Sequence, residues 1–139
     1  MAINFYQEDI PAPKFKRKTM KQVLQDKIAV QNKTTGNINV IFCSDEYLLE
    51  MNREHLKHDY LTDVITFNFC EGEMISGDIY ISYDRLKDNA EIFGVQLENE
   101  IARVVGHGVC HLLGFNDKTE AEKAKMREEE EKILKMYQQ

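Results

Sequence analysis

Residues 97–117 carry the strongest constraint on how this chain can fold. Ile101-Ala102-Arg103-Val104-Val105-Gly106 is apolar enough to be buried against a sheet, as the middle of a helix from Leu97 to Leu113. Gly114 then supplies the residue type suited to the left-handed conformation that ends a helix. Within this helix His107 and His111 stand four positions apart, so both imidazoles leave the same face. Such a pair also arises by chance, and a histidine on an apolar helix is commonly a satisfied core residue. Two neutral imidazoles side by side in a core, however, each demand a hydrogen-bond partner. One metal ion satisfies both. Past the glycine the chain can double back, and Asp117, six residues beyond His111, is placed to become a third ligand.

The pattern HxxxHxxGxxD is similar to the zinc helix of the metzincins, in which the glycine makes the turn and the last residue closes the site. His107, His111 and Asp117 are therefore the expected ligands of one zinc ion per chain, with a fourth position left open. The same nitrogen and oxygen ligands suit other divalent ions. Gly108 occupies the place where HExxH peptidases carry their general-base glutamate, which disfavours a peptidase of that type.

The elements around this helix are mixed. Ala2–Gln7 predicts a strand, residues 15–33 a helix, and Ile38–Cys43 a β-branched strand entered through a turn at Thr34-Thr35-Gly36-Asn37. Ser44 is the expected N-cap of a helix running through Tyr47, Leu48 and Met51. Val64–Phe69 and Gly77–Ser82 predict a hairpin joined at Glu71-Gly72-Glu73, and Tyr83–Phe93 a short helix ended by Gly94. Thr119-Glu120-Ala121-Glu122 fits a capping box opening a last helix to about Met136. In that helix Glu128–Lys132 and Glu131–Lys135 are favourable i,i+4 pairs, so the run Glu128–Glu131 reads as a solvated face. The expectation is one α+β domain over residues 1–139, a small, partly antiparallel mixed sheet packed with helices.

With 139 residues the chain can bury a core without staples. It contains no apolar run near the ~20 residues that span a bilayer. The N-terminal residues lack a signal-peptide layout, so a cytoplasmic location is expected. Cys43, Cys70 and Cys110 are odd in number and widely spaced, and read as small buried residues. A net charge of −6 argues against a uniformly basic nucleic-acid binder. The cluster Lys14-Phe15-Lys16-Arg17-Lys18 with Lys21 is either a local phosphate-contacting patch or a solvated face.

His107-Gly108-Val109-Cys110-His111-Leu112-Leu113-Gly114-Phe115-Asn116-Asp117 resembles the signature of the YbeY family of zinc-dependent endoribonucleases. Met51-Asn52, the stretch Asp59–Phe67 and Gly77-Asp78-Ile79 are similar to further blocks of that family, so the likeness runs from about residue 40 to the end. The resemblance implies a single-strand-specific, metal-dependent endoribonuclease. It implies a role in ribosomal RNA processing, namely maturation of the 16S 3′ end, and in ribosome quality control. The implied partners are rRNA and the small ribosomal subunit or its assembly factors, with no membrane. Two positions depart from the family pattern. Asp117 stands where the family has its third histidine, after Asn116 in place of an aspartate, giving a His2Asp site whose ion is less electrophilic. Leu56 stands where the family usually carries an arginine, and Arg53, Lys57, His55 or His58 are its possible substitutes. Arg53 and Lys57 are the candidate substrate contacts. His55 and His58 read as exposed helix-end residues, although they form an HxxH pair that could hold a second ion.

No glutamate beside the histidines is evident in the sequence, and no catalytic base is assigned. Three functions are consistent with these residues: cleavage of an RNA phosphodiester, a ribosome-associated module with a structural zinc and little nuclease activity, and a hydrolase of another substrate such as a peptide. Because a neutral amide is a poor zinc ligand, Asp117→Asn is expected to weaken metal binding more than Asn116→Ala, by metal titration of the purified variants. The opposite ranking would move the third ligand to Asn116.

Overall fold

A computed structural model describes residues 2–55 and 62–139. Its elements, in chain order, are β1 (Ile3–Gln7), α1 (Arg17–Val30), β2 (Thr34–Cys43), α2 (Asp45–His55), β3 (Val64–Asn68), β4 (Met74–Ser82), α3 (Tyr83–Phe93), α4 (Leu97–Leu112) and α5 (Glu120–Gln138). The strands form one sheet in the order β1-β2-β4-β3. β1 and β4 both run parallel to β2, and β3 pairs antiparallel with β4 as the expected hairpin. The mixed α+β architecture read from the sequence is the one observed.

The β-branched and aliphatic residues of the strands alternate as a half-buried sheet requires. Ile38, Val40 and Phe42 of β2 and Ile75, Ile79 and Ile81 of β4 face one side, where they meet Met20, Leu24 and Ile28 of α1 and Ile101, Val105 and Val109 of α4 in the main core. The opposite side is covered by α2, whose Leu48 joins Cys43 and Ile65, with Tyr47, Met51, Phe67 and Tyr80 around them. Ser44 caps α2 as expected: its hydroxyl accepts from the Tyr47 N–H at 3.1 Å and is itself held by Asp9.

Three local expectations are corrected. β2 begins at Thr34, because Thr34 and Thr35 pair with Met74 and Ile75 and a register shift before Ile38 absorbs Gly36 and Asn37. β4 accordingly begins at Met74. The chain reverses instead directly after α1, where Asn32 takes φ 59°, a conformation asparagine tolerates. Phe15 lies outside α1 and stacks edge-on against Phe5 at 5.0 Å and Phe42 at 5.6 Å.

Helix α4 is the centre of the packing. It rests on β3 and β4 and against α3 and α5, and its buried residues include Ile101, Ala102, Val104, Val105, Gly106, Gly108, Val109 and Cys110. Gly108 is what lets it sit so low on the sheet: a Cβ there would lie 2.7 Å from Ile79 Cγ2, inside van der Waals contact. Since Ile79 is fully buried, it has little room to retreat. Gly108→Ala is expected to lower unfolding free energy by about 1–3 kcal/mol, the ordinary range for overpacking a core. Urea denaturation, read as a lower midpoint with an unchanged slope, checks this; an unchanged midpoint would mean that the α4–β4 spacing is adjustable.

Candidate metal centre

The buried sides of α4 leave one stripe free to carry polar side chains. His107 and His111 occupy it one turn apart, both half-buried. The helix then ends in a Schellman turn: the Phe115 N–H donates to the Cys110 carbonyl at 3.0 Å and the Gly114 N–H to the His111 carbonyl at 3.0 Å, with Gly114 at φ 99°. A side chain at Gly114 would strain that backbone. The reversal brings Asp117 back over the histidines, and the capping box at Thr119 and Glu122 starts α5 immediately after it.

The three residues converge on one point. His107 Nε2 and His111 Nε2 are 3.1 Å apart, and Asp117 Oδ2 lies 3.4 Å from each. For an ion about 2.1 Å from every ligand, tetrahedral coordination places ligand atoms about 3.4 Å apart. The observed triangle is one face of such a tetrahedron, so His107, His111 and Asp117 fit a metal ion and together could hold one. Asn116, the other candidate, is exposed, and its side chain hydrogen-bonds the Glu122 carboxylate.

One residue that contacts this cluster is not marked by the local sequence. Glu130 of α5 accepts from His107 Nδ1 at 2.5 Å. That bond places the proton on Nδ1 and aims the Nε2 lone pair at the point of convergence, the usual outer support of a ligating histidine. Burial favours the neutral acid at Glu130, but the hydrogen bonds and charges of His107 and Arg103 outweigh it and hold the carboxyl below its ordinary range. Arg103 in turn donates from Nη1 to Glu130 Oε1 at 2.8 Å, and grips the buried Glu100 with two bonds of 2.9 and 2.7 Å. A chain of alternating charge thus runs along the α4–α5 seam and ends on the histidine.

The acidic run is consequently only half a solvated face. Glu128 and Glu131 are exposed, whereas Glu129 and Glu130 are buried. Glu129 bonds the buried Lys27 of α1 at 2.9 Å, and Lys132 pairs with Glu129 and not with Glu128. The signal was present in the sequence: Met126, Glu130, Ile133 and Tyr137 recur at spacings of four, three and four, so Glu130 holds a core position on an otherwise apolar stripe.

Among the described residues the remaining candidates join neither the ligand group nor the lining of the cleft beside it. Arg53 is on the last turn of α2, about half exposed and 2.8 Å from Glu50. His55 is exposed and meets the edge of Phe67. Leu56, Lys57 and His58 fall outside the described residues, as does any HxxH pair. In the basic cluster Lys16 lies over the Tyr137 ring and Arg17 over Phe15, at the end of α5 remote from Asp117. Cys43 and Cys110 are buried, and burial pushes both thiols up to about 12. Cys70 is only half-buried.

A family model described as "Endoribonuclease YbeY" matches residues 2–138. The endoribonuclease YbeY of Bacteroides thetaiotaomicron is 43% identical over 136 residues, covering 98% of this chain and 99% of the relative. That of Parabacteroides distasonis is 46% identical over 134 residues, covering 96% of this chain and 94% of the relative. The fold is similar to the solution structure of TM1509 from Thermotoga maritima, with TM-score 0.68, 26% identity and coverage of 97% of this chain and 88% of that one.

Glu130→Gln keeps the shape of the side chain but removes the charge that fixes the His107 tautomer. It is expected to weaken metal affinity about 10- to 100-fold, as loss of an outer-shell partner typically does, measured by competition with a chelator of known affinity. Unchanged affinity would make the Glu130–His107 bond a packing contact only.

Proposed function

Because the chain belongs to the endoribonuclease YbeY family, we propose that it is a metal-dependent endoribonuclease acting on single-stranded ribosomal RNA. We assign to it one zinc ion per chain, residues 1–139 working as one hydrolase domain, and a cytoplasmic place beside the small ribosomal subunit or its assembly factors, at the step that matures the 16S 3′ end. No helix among the described residues is long and apolar enough to cross a membrane.

The observation that carries the reading is the half-open character of the ligand set: among the described residues three ligand groups converge and no fourth joins them. The three ligand atoms form one face of a tetrahedron, and the site opens on a cleft of about 340 Å³ whose lining includes His107, Asp117, Arg103 and Glu130. Structural zinc sites are closed by four protein ligands, whereas catalytic ones keep a position free. When bound, the ion supplies Lewis-acid polarisation of a phosphoryl oxygen and eases deprotonation of water.

The chain's own residues do the rest. His107 and His111 present neutral nitrogens, and Asp117 presents a carboxylate that lowers the net positive charge of the centre relative to three histidines. Glu130 keeps the His107 proton on Nδ1. It touches the ring on the side away from the ligand triangle, so it is a positioning residue and not the base of the HExxH peptidases. Arg53 and Lys57 are assigned to the substrate strand as phosphate contacts.

The test combines metal analysis with cleavage of a single-stranded RNA oligonucleotide. The purified protein is expected to contain about one zinc per chain by mass spectrometry. Chelation should abolish cleavage, zinc should restore it, and His107→Ala should lose both metal and activity. Stoichiometric zinc with no RNA cleavage but with binding to small ribosomal subunits would favour an assembly module instead. Absence of tightly bound metal would overturn the proposal.

A further inference from the structure

Resting on the endoribonuclease reading, we propose that Lys123 and Arg127 of α5 form a phosphate clamp that holds the RNA strand next to the metal centre. Both side chains line the same cleft as His107 and Asp117, and both are exposed. They belong to one stripe of the helix: Lys123, Arg127 and Glu130 follow at spacings of four and three, and Glu130 is bonded to His107 at 2.5 Å. Arg127 therefore lies about 4.5 Å along the helix axis from the residue that touches the metal ligand, and Lys123 about 6 Å further on. That second interval is comparable to the step between consecutive phosphates of one RNA strand.

The clamp has cations to spare, and the rest of the cleft does not. Arg103 is the third cation there, but its guanidinium is spent on Glu100 and Glu130. Arg127 makes no ion pair or hydrogen bond among the described residues, and Lys123 has only Glu120 at 3.7 Å, itself almost fully exposed. Asp117 and Glu130 offset much of the charge a divalent ion brings. Attraction for a polyanion at this cleft, in a chain of net charge −6, thus falls to cations beyond the ligands. A lysine whose only carboxylate partner is a solvent-exposed one, and an arginine with no ion-pair partner among the described residues, lose little by exchanging water for phosphate, and each phosphate contact releases a bound counterion from the strand. The contact is with the backbone, so it sets register and affinity and reads no bases.

The experiment measures binding of a non-cleavable 2′-O-methyl oligonucleotide over a range of salt concentrations, and cleavage of its ribose counterpart, for the zinc-loaded protein. Lys123→Ala with Arg127→Ala is expected to flatten the slope of log affinity against log salt by about 1.4, at ~0.7 per phosphate contact on a single strand, and to weaken binding about tenfold near 0.15 M salt. KM should rise correspondingly with kcat and zinc content unchanged, to the same degree for oligonucleotides of different sequence. The charge-keeping pair Lys123→Arg with Arg127→Lys should restore both slope and KM. A wild-type protein that cleaves RNA while the alanine pair keeps its slope and KM would overturn the clamp and leave the nuclease reading intact. A clamp-dependent slope in a protein that never cleaves would support the clamp and overturn the nuclease. A wild-type protein that neither binds nor cleaves RNA would overturn both.

Discussion

Helix α4 is packed on β3 and β4 through one side and against α5 through another, and that double contact fixes where polar chemistry can occur. The glycine at 108 permits the approach to Ile79, and Gly106 faces Ile133 of α5, where a Cβ would come to 3.0 Å. His107 sits between these two glycines. A helix held so closely on two sides cannot roll or slide by more than a fraction of a turn without opening voids, and interiors resist voids strongly. The imidazoles of His107 and His111 are thereby aimed by the core itself, before any ion or substrate is considered.

The charge chain along the α4–α5 seam is the second layer of the same design. Glu100 and Glu130 are both nearly inaccessible, and an ionised carboxylate buried without partners would be strongly unfavourable. Arg103 bonds both of them, and Glu130 uses its remaining oxygen on His107. The seam thus trades burial cost for orientation: α5 is keyed to α4 by a guanidinium and a histidine at one level, and by Met126 and Ile133 packed in the core above and below. The same helix then offers Lys123 and Arg127 to the cleft, so its positioning relative to α4 sets both the histidine tautomer and the basic edge.

The parts of the site that could be read from the sequence are those fixed by neighbours in the chain. The spacing of His107 and His111, the left-handed Gly114, the return of Asp117 and the Thr119–Glu122 capping box all depend on local backbone geometry, and each is found as expected. The parts that were missed depend on partners distant in sequence. Glu130 looked like one solvated acid among four because its partners, His107 and Arg103, lie 23 and 27 residues away. Thr34 and Thr35 looked like a turn because their strand partners are in Met74 and Ile75. Local polarity misled in both places, and the i,i+4 pair proposed for Glu128 and Lys132 lost to the buried Glu129, whose carboxylate already served Lys27.

The central claim is that His107 Nε2, His111 Nε2 and Asp117 Oδ2 close on a single ion with a fourth position left to the cleft. Anomalous diffraction at the zinc edge from crystals of the zinc-loaded protein tests it most directly. The account predicts one strong peak per chain, about 2.0–2.2 Å from each of those three atoms, with the remaining ligand a solvent molecule facing Lys123 and Arg127. A peak lying on other residues, or one closed by a fourth protein ligand, would contradict it.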